Sequence, residues 1–319
     1  MTDIVAADIG GTHARFALAR LDAAGRVLAL DEPAVLRCAD HDGLAAAWAA
    51  FGARIGRPLP RAAAIAIAAP IAGDTVKFTN NDWVIRTSEI AAGLGLDAHL
   101  LINDFAAVGH AVAAAGPDAF RHVCGPDMPL PDTGVISVIG PGTGLGVALL
   151  IRHGRSHWQV LPTEASHGDF APVDAVDDAI LAHFRRRFGR VSTERVISGP
   201  GLADIHAALG GQTVRDDAEL WARALGGEDA LAAAALDRFC AALGSFAGNM
   251  ALAHGAGGVV IAGGLGARLA DHLPQSGFAG RFAAKGRYET LMRSLPVSLI
   301  IHPQPGLFGA ATAFGRSQR

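Results

Sequence analysis

Apolar and polar positions alternate in short blocks from the start of the chain. Ile4 to Ala7 is an apolar run ending in Asp8-Ile9-Gly10-Gly11-Thr12, and Ala14 to Ala19 and Val27 to Leu30 follow. Short apolar runs bounded by glycine predict strands, here three in a meander. The glycine pair between the first two is expected to make a tight turn that a β-carbon would obstruct. The plan recurs as Val135 to Ile139, the turn Gly140-Pro141-Gly142-Thr143-Gly144, Leu145 to Ile151 and Trp158 to Leu161. This reads as an internal duplication.

Each copy continues into helical patterning and further strands. Leu44 to Ile55 has helical spacing, and Ala63 to Ala68 and Leu100 to Asn103 read as strands; Val259 to Ala262 and Val297 to Ile301 are their counterparts in the second half. Helices are expected over Val176 to Phe188, Gly201 to Leu209, the Ala-rich stretch Ala230 to His254, and Gly306 to Phe314. The fold class is therefore α/β, with mixed sheets flanked by helices. A length of 319 residues predicts two domains with a cleft between them. The expected division is 1–110 plus 302–319 for the smaller domain and 111–301 for the larger, with a hinge beside Asn103-Asp104.

Composition narrows the partners. A net charge of -3, with no basic run longer than Arg185 to Arg187, gives no electrostatic reason to expect nucleic acid. Cys38, Cys124 and Cys240 are odd in number and far apart, which predicts free thiols in a reducing cytosol. No basic stretch leads an apolar core at the N-terminus, so a signal peptide is not expected and the chain is placed in the cytoplasm. Thr133 to Ile151 runs 19 positions without a charge, long enough to mimic a membrane span. Its central glycines predict two strands and a turn instead.

The two Gly/Thr turns are candidates for phosphate binding, because backbone N–H groups and a threonine hydroxyl can reach phosphate oxygens where no side chain intervenes. On this reading ATP is held by Ala7 to Thr12 (Ala7, Asp8, Ile9, Gly10, Gly11, Thr12) and by Gly140, Gly142, Thr143 and Gly144. Asp8 would hold Mg2+ directly or through water. The bland alternative is that the glycines only close hairpins. Other nucleotide motifs fail: neither lysine, Lys77 or Lys285, follows a glycine in a P-loop pattern, and Gly140 to Gly146 misses the G-x-G-x-x-G spacing.

Four polar segments complete the picture. Asn103-Asp104 ends an apolar strand, where Asp104 is a candidate general base for a hydroxyl or else the N-cap of a helix starting at Phe105. Pro162 to Asp169 packs Glu164, His167 and Asp169 into one loop, suited to a pyranose's adjacent hydroxyls or, alternatively, to a shared divalent ion. Glu194 reads as an exposed charge in a helix's first turn. Asn80, Asn81, Asp82 and Trp83 form a turn whose indole either stacks on a sugar face or belongs to the core.

The ordered set Asp8-Ile9-Gly10-Gly11-Thr12-His13-Ala14-Arg15, Leu101-Ile102-Asn103-Asp104-Phe105, Gly142-Thr143-Gly144-Leu145-Gly146, Glu164 with His167, Glu194-Arg195-Val196 with Ser198 to Gly201, Ile261-Ala262-Gly263-Gly264 and Pro305-Gly306-Leu307 resembles the bacterial glucokinases, nearly end to end. The resemblance implies duplicated actin-like ATPase (ribonuclease H-like) domains and a homodimer. It implies ATP-dependent phosphorylation of glucose at the 6-hydroxyl, the first step of glucose catabolism, with Mg2+ as cofactor. It makes Asp104 the base, gives Asn103, Glu164, His167 and Glu194 the sugar hydroxyls, and puts Gly263 and Gly264 near the adenosine. His13 stands where many members have Asn, and Ala165-Ser166 where many have two glycines. The Cys-rich zinc motif of the related repressor and kinase family is absent. The alternatives are a kinase for another hexose, and a non-enzymatic sugar sensor or actin-like ATPase switch.

Overall fold

The computed structural model describes residues 1–71, 73–78, 81–212, 214 and 216–319. They divide into two compact units, Met1–Ala115 with His302–Arg319, and Gly116–Ile301. In unit 1 the strands are β1 Thr2–Ile9, β2 His13–Leu21, β3 Val27–Leu30, β4 Ala34–Arg37, β5 Ala62–Ile67, β6 Thr75–Lys77, β7 Val84–Arg86 and β8 Ala98–Asn103. Unit 2 contributes β9 Phe120–Cys124, β10 Thr133–Pro141, β11 Leu145–His153, β12 Trp158–Thr163, β13 Ala256–Ile261 and β14 Val297–Ile300. Helices α1 Leu44–Ile55, α2 Ile90–Leu94 and α3 Asp104–Ala114 belong to unit 1. Unit 2 has α4 Ala175–Phe188, α5 Thr193–Val196, α6 Gly201–Ala208, α7 Asp217–Gly226, α8 Ala230–His254, α9 Gly263–Arg268, α10 Phe278–Ala283 and α11 Glu289–Arg293. The chain ends on α12 Pro305–Ser317, in unit 1.

The two main sheets share one plan. The first runs β3-β2-β1-β5-β8, with β4 also on β2, and the second runs β12-β11-β10-β13-β14-β9. In each, three strands meander antiparallel and the first of them pairs parallel with a later strand, β1 with β5 and β10 with β13. The uncharged Thr133–Ile151 stretch is the β10–β11 hairpin, as its glycines predicted. β9 was not legible: Phe-Arg-His-Val-Cys is an edge strand with only Val123 buried, so it lacks an apolar run.

The Ala-rich strand β5 shows why helix propensity misleads there. It lies between β1 and β8, and its side chains are buried on both faces. Val5, Ile65, Ile67 and Phe16 face one core layer, where Phe16 stacks on Phe51 of α1 at 5.4 Å. Ala6, Ala17, Ala64 and Ala66 face the other, where their small side chains let α12 approach the sheet. α12 also lies against α3, and Gly309 is the point of closest approach: a β-carbon there would sit 1.7 Å from the Ala107 carbonyl oxygen. Alanine would improve helix propensity by about 1 kcal/mol. The clash is with backbone that cannot rotate away, so overpacking at about 1–3 kcal/mol should win. Gly309→Ala is accordingly expected to lower the Tm by several degrees in a thermal melt; an unchanged Tm would contradict this packing.

In unit 2, α8 is long and apolar enough by itself to cross a membrane, yet 61 % of its apolar window is buried. Gly244 and Gly248 admit the carbonyls of Phe278 and Phe282, which dock α10 onto it. All three cysteines are free, and burial pushes Cys240 up to about 12 and Cys124 up to about 11, so both stay protonated thiols.

Candidate active site

The candidate residues fall into two groups, one per unit, each at the carboxyl ends of parallel strands, where α/β sheets present their ligand-binding loops. In unit 1, Ile9 pairs with Ile67 and Ile67 with Asn103, so Asp8 to Thr12 and Asn103-Asp104 lie at the same sheet edge, two strands apart. Two strand spacings amount to about 10 Å. Ala7 and Ile9 are wholly buried, so only their backbone can serve a ligand.

The Gly10–His13 turn closes with the Gly10 N–H donating to the His13 carbonyl at 2.9 Å. Neither Gly10 nor Gly11 has a positive φ, and a β-carbon on Gly10 would meet only that carbonyl, at 3.4 Å. The expectation that the turn itself excludes a β-carbon is therefore wrong at Gly10: what glycine gives there is room above the backbone. Cys38 Sγ and Asn81 Nδ2 donate to the Gly10 carbonyl at 3.4 and 3.3 Å, and the Cys38 N–H donates to the Thr12 carbonyl at 2.9 Å. Asn81 thus braces the turn. Trp83 is 5 % exposed, packs edge-on against Phe78 and donates its indole N–H to the His41 carbonyl, so it is a core residue and offers no face to a sugar. Asn80 lies outside the described residues.

Asp8 is directly opposite Arg15 in the β1–β2 ladder, with Nη1 3.6 Å from Oδ2. Counting outward from the hairpin turn would have found this cross-strand charge pair. Burial pushes the Asp8 carboxyl above its ordinary range, and the Arg15 guanidinium opposes that shift. The side chain is still 23 % exposed at the strand end. A single, partly accessible carboxylate fits Mg2+, which keeps several waters and takes few protein ligands. Among the described residues no group of three or more His, Cys, Asp or Glu side chains could hold a metal alone. The Pro305-Gly306-Leu307 motif also acquires a reason here. Gly306, in the first turn of α12, lies against Asp8, and a β-carbon on it would come within 2.8 Å of Oδ2 and 3.0 Å of Cγ. Gly306→Ala is expected to displace this carboxylate and lower kcat/KM for ATP about tenfold with the fold intact; steady-state kinetics beside a thermal melt check it.

The cap of α3 is Asn103, not Asp104. Asn103 Oδ1 accepts from the N–H groups of Phe105 at 2.9 Å and Ala106 at 3.1 Å, and Asp104 is the first helical residue. Only the Asn103 amide N–H groups are left for a ligand. The Phe105 N–H is shared with Asp104 Oδ1 at 2.8 Å, which fixes that carboxylate at the start of the helix.

In unit 2 the phosphate-turn and sugar-loop candidates meet. Ile139 pairs with Ile261, which puts Gly140 to Gly144 beside Gly263-Gly264. Gly263 has φ +79°, and a β-carbon on it would lie 2.5 Å from the Pro141 carbonyl oxygen, so both conformation and contact require glycine. Gly142 and Gly264, by contrast, have open space where a β-carbon would point, and neither has a positive φ. Glycine at those two positions leaves the backbone accessible. The Gly142 carbonyl accepts the Gly199 N–H at 2.8 Å, which joins the turn to the segment before α6.

Glu194 is not a bystander charge in a helix. Its Oε2 accepts the Leu145 N–H at 3.0 Å and occupies the space a Gly144 β-carbon would need, 2.5 Å away. Its Oε1 is 4.0 Å from His167 Nδ1, and His167 Nε2 is 3.6 Å from Glu164 Oε2. Glu164, His167 and Glu194 therefore form one cluster, with side chains 61 %, 54 % and 29 % exposed. Two carboxylates around an imidazole, open to solvent, can accept several hydroxyl hydrogens at once. Ala165-Ser166 sit in a short 3-10 turn, and neither has a positive φ, so glycine is not required at either position.

A family model described as Glucokinase matches residues 5–317. The chain is 55 % identical over 317 residues to the glucokinase of Zymomonas mobilis, covering 98 % of this chain and 97 % of that one. Among solved structures, glucokinase from an Antarctic psychrotroph superposes with a TM-score of 0.83 at 33 % identity, covering 99 % of both chains. The glucokinase of Balamuthia mandrillaris, solved with glucose, shares the fold at a TM-score of 0.82 and 21 % identity, over 99 % of this chain and 94 % of that one. The duplicated sheet plan is thus that of the actin-like sugar kinases, and the chain belongs to the bacterial glucokinase family.

Proposed function

We propose that this chain transfers the γ-phosphoryl group of ATP to the 6-hydroxyl of D-glucose, giving glucose 6-phosphate and ADP, with Asp104 as the general base. The observation that carries the assignment of residues is the start of α3. Asn103 supplies the cap, and the Asp104 carboxylate is fixed at the first helical position by the Phe105 N–H. It accepts the hydroxyl proton as the sugar oxygen bonds to the γ-phosphorus and the bond to the bridging oxygen of ADP breaks.

Glu164, His167 and Glu194 hold sugar hydroxyls, and the Asn103 amide donates to a sugar oxygen. Backbone N–H groups of Gly10 to Thr12 and of Gly140 to Gly144 cradle the phosphates, and Gly263-Gly264 border the adenosine. Asp8 would hold Mg2+ directly or through water, and the ion would supply neutralisation of phosphate charge. A homodimeric state and a cytoplasmic location, at the entry of glucose into catabolism, belong to the same proposal and are supported by family membership. The test of the sugar is ADP release across glucose, mannose, fructose and N-acetylmannosamine. A site built to hydrogen-bond a sugar's hydroxyls can reject an analogue that leaves those bonds unmade by about 10⁴ in kcat/KM. Glucose is expected to give the highest kcat/KM, and a higher value for another of the four would overturn the choice of hexose.

A further inference from the structure

His167 reaches toward both carboxylates of the proposed sugar cluster, so the position of its imidazole depends on where the backbone at 167 is held. The residues after it are stitched to the strand-like segment 191–193. The Phe170 N–H donates to the Val191 carbonyl at 3.0 Å, the Thr193 N–H to the Gly168 carbonyl at 2.8 Å, and Asp169 bridges Ser192. The His167 carbonyl is held differently. Arg190 Nη2 donates to it at 2.7 Å, while Arg190 Nε pairs with Asp169 Oδ1 at 2.8 Å. One guanidinium thus grips two points of the loop, residues 167 and 169.

Arg190 and Asp169 are 65 % and 75 % exposed, so their ion pair alone contributes little to stability. The geometry is the informative part, because a planar fork with several fixed donors holds two acceptors in one orientation and an ammonium does not. We infer that Arg190 is a positioning residue for sugar recognition, acting through the His167 carbonyl to aim the imidazole at the sugar. This rests on the reading of His167 as a sugar contact. Sequence spacing gave no sign of it, since Arg190 is 23 residues from His167 and closes an arginine-rich stretch.

The experiment is a double-mutant cycle on the full chain, read as glucose KM, ATP KM and kcat. Arg190→Ala is expected to raise glucose KM roughly three- to tenfold, with kcat within about twofold and ATP KM unchanged. Arg190→Lys and Asp169→Asn each keep one arm of the fork and should fall between it and the parent, which also covers the case that the alanine variant folds poorly. In a His167→Ala background, Arg190→Ala should add less than about twofold, because its effect passes through that side chain. Unchanged glucose KM in Arg190→Ala alongside a raised KM in His167→Ala would overturn the inference alone, as would full additivity in the double variant. An unchanged glucose KM in His167→Ala would overturn the sugar-contact reading and the inference with it.

Discussion

Asp104→Ala should lower kcat for glucose phosphorylation at least about a hundredfold and leave glucose affinity within a few-fold. Loss of a positioned general base costs about 10²–10⁴ in rate. The size of this effect can be separated from damage to the fold, because α3 is capped by Asn103 Oδ1 and keeps its cap in the variant. What the helix loses is one acidic group in its first turn, about 0.3–1 kcal/mol of stability. A near-normal Tm with a collapsed kcat is therefore the expected signature, measured by a coupled assay beside a melt and direct glucose binding. Asp104→Asn should be about as inactive, since the amide keeps the shape and cannot take the proton. Unchanged turnover in either variant would remove Asp104 from the chemistry.

The second large effect is expected at Glu194, where Ala and Gln should separate two functions of one side chain. Oε2 fixes the Leu145 N–H at the end of the Gly140–Gly144 turn, and Oε1 faces His167 in the proposed sugar cluster. Alanine removes both and leaves the turn without its tie, so kcat/KM for glucose should fall about 10²–10³-fold, the cost of a charged hydrogen bond plus a displaced phosphate turn. Glutamine has an oxygen to accept from Leu145 and loses only the charge. Its loss should be closer to tenfold, seen mainly in glucose KM, with ATP KM preserved. Equal losses in the two variants would show that the contact with Leu145 is unimportant to catalysis.

Much of the architecture was readable from the apolar runs and the glycines that punctuate them. β1, β2 and β10 are buried on most positions, β11 has a single exposed residue, and all four flank turns, which makes them visible by pattern. Edge strands such as β4 and β9 were invisible because each is short and buries a single side chain, Ala34 and Val123, so neither contains a long apolar run. At the site, residue types were legible and their partners were not. Glu194 looked like an ordinary first-turn charge because the group it binds, Leu145, is 49 residues away. Trp83 reads equally as a sugar platform or a core residue in the sequence, because composition does not reveal burial. Gly144 and Gly306 are explained only by the carboxylates of Glu194 and Asp8 that stand against them. Motif order carried the family; side-chain contacts support the proposed division of labour.

The most direct test of the central claim is the amount of ADP released by the parent chain, with and without glucose, against glucose 6-phosphate formed in the same reaction. A glucokinase predicts ADP release that depends on glucose and matches glucose 6-phosphate one for one. Steady ATP hydrolysis that is indifferent to glucose, with no sugar phosphate formed, would contradict it and leave an ATPase switch in its place.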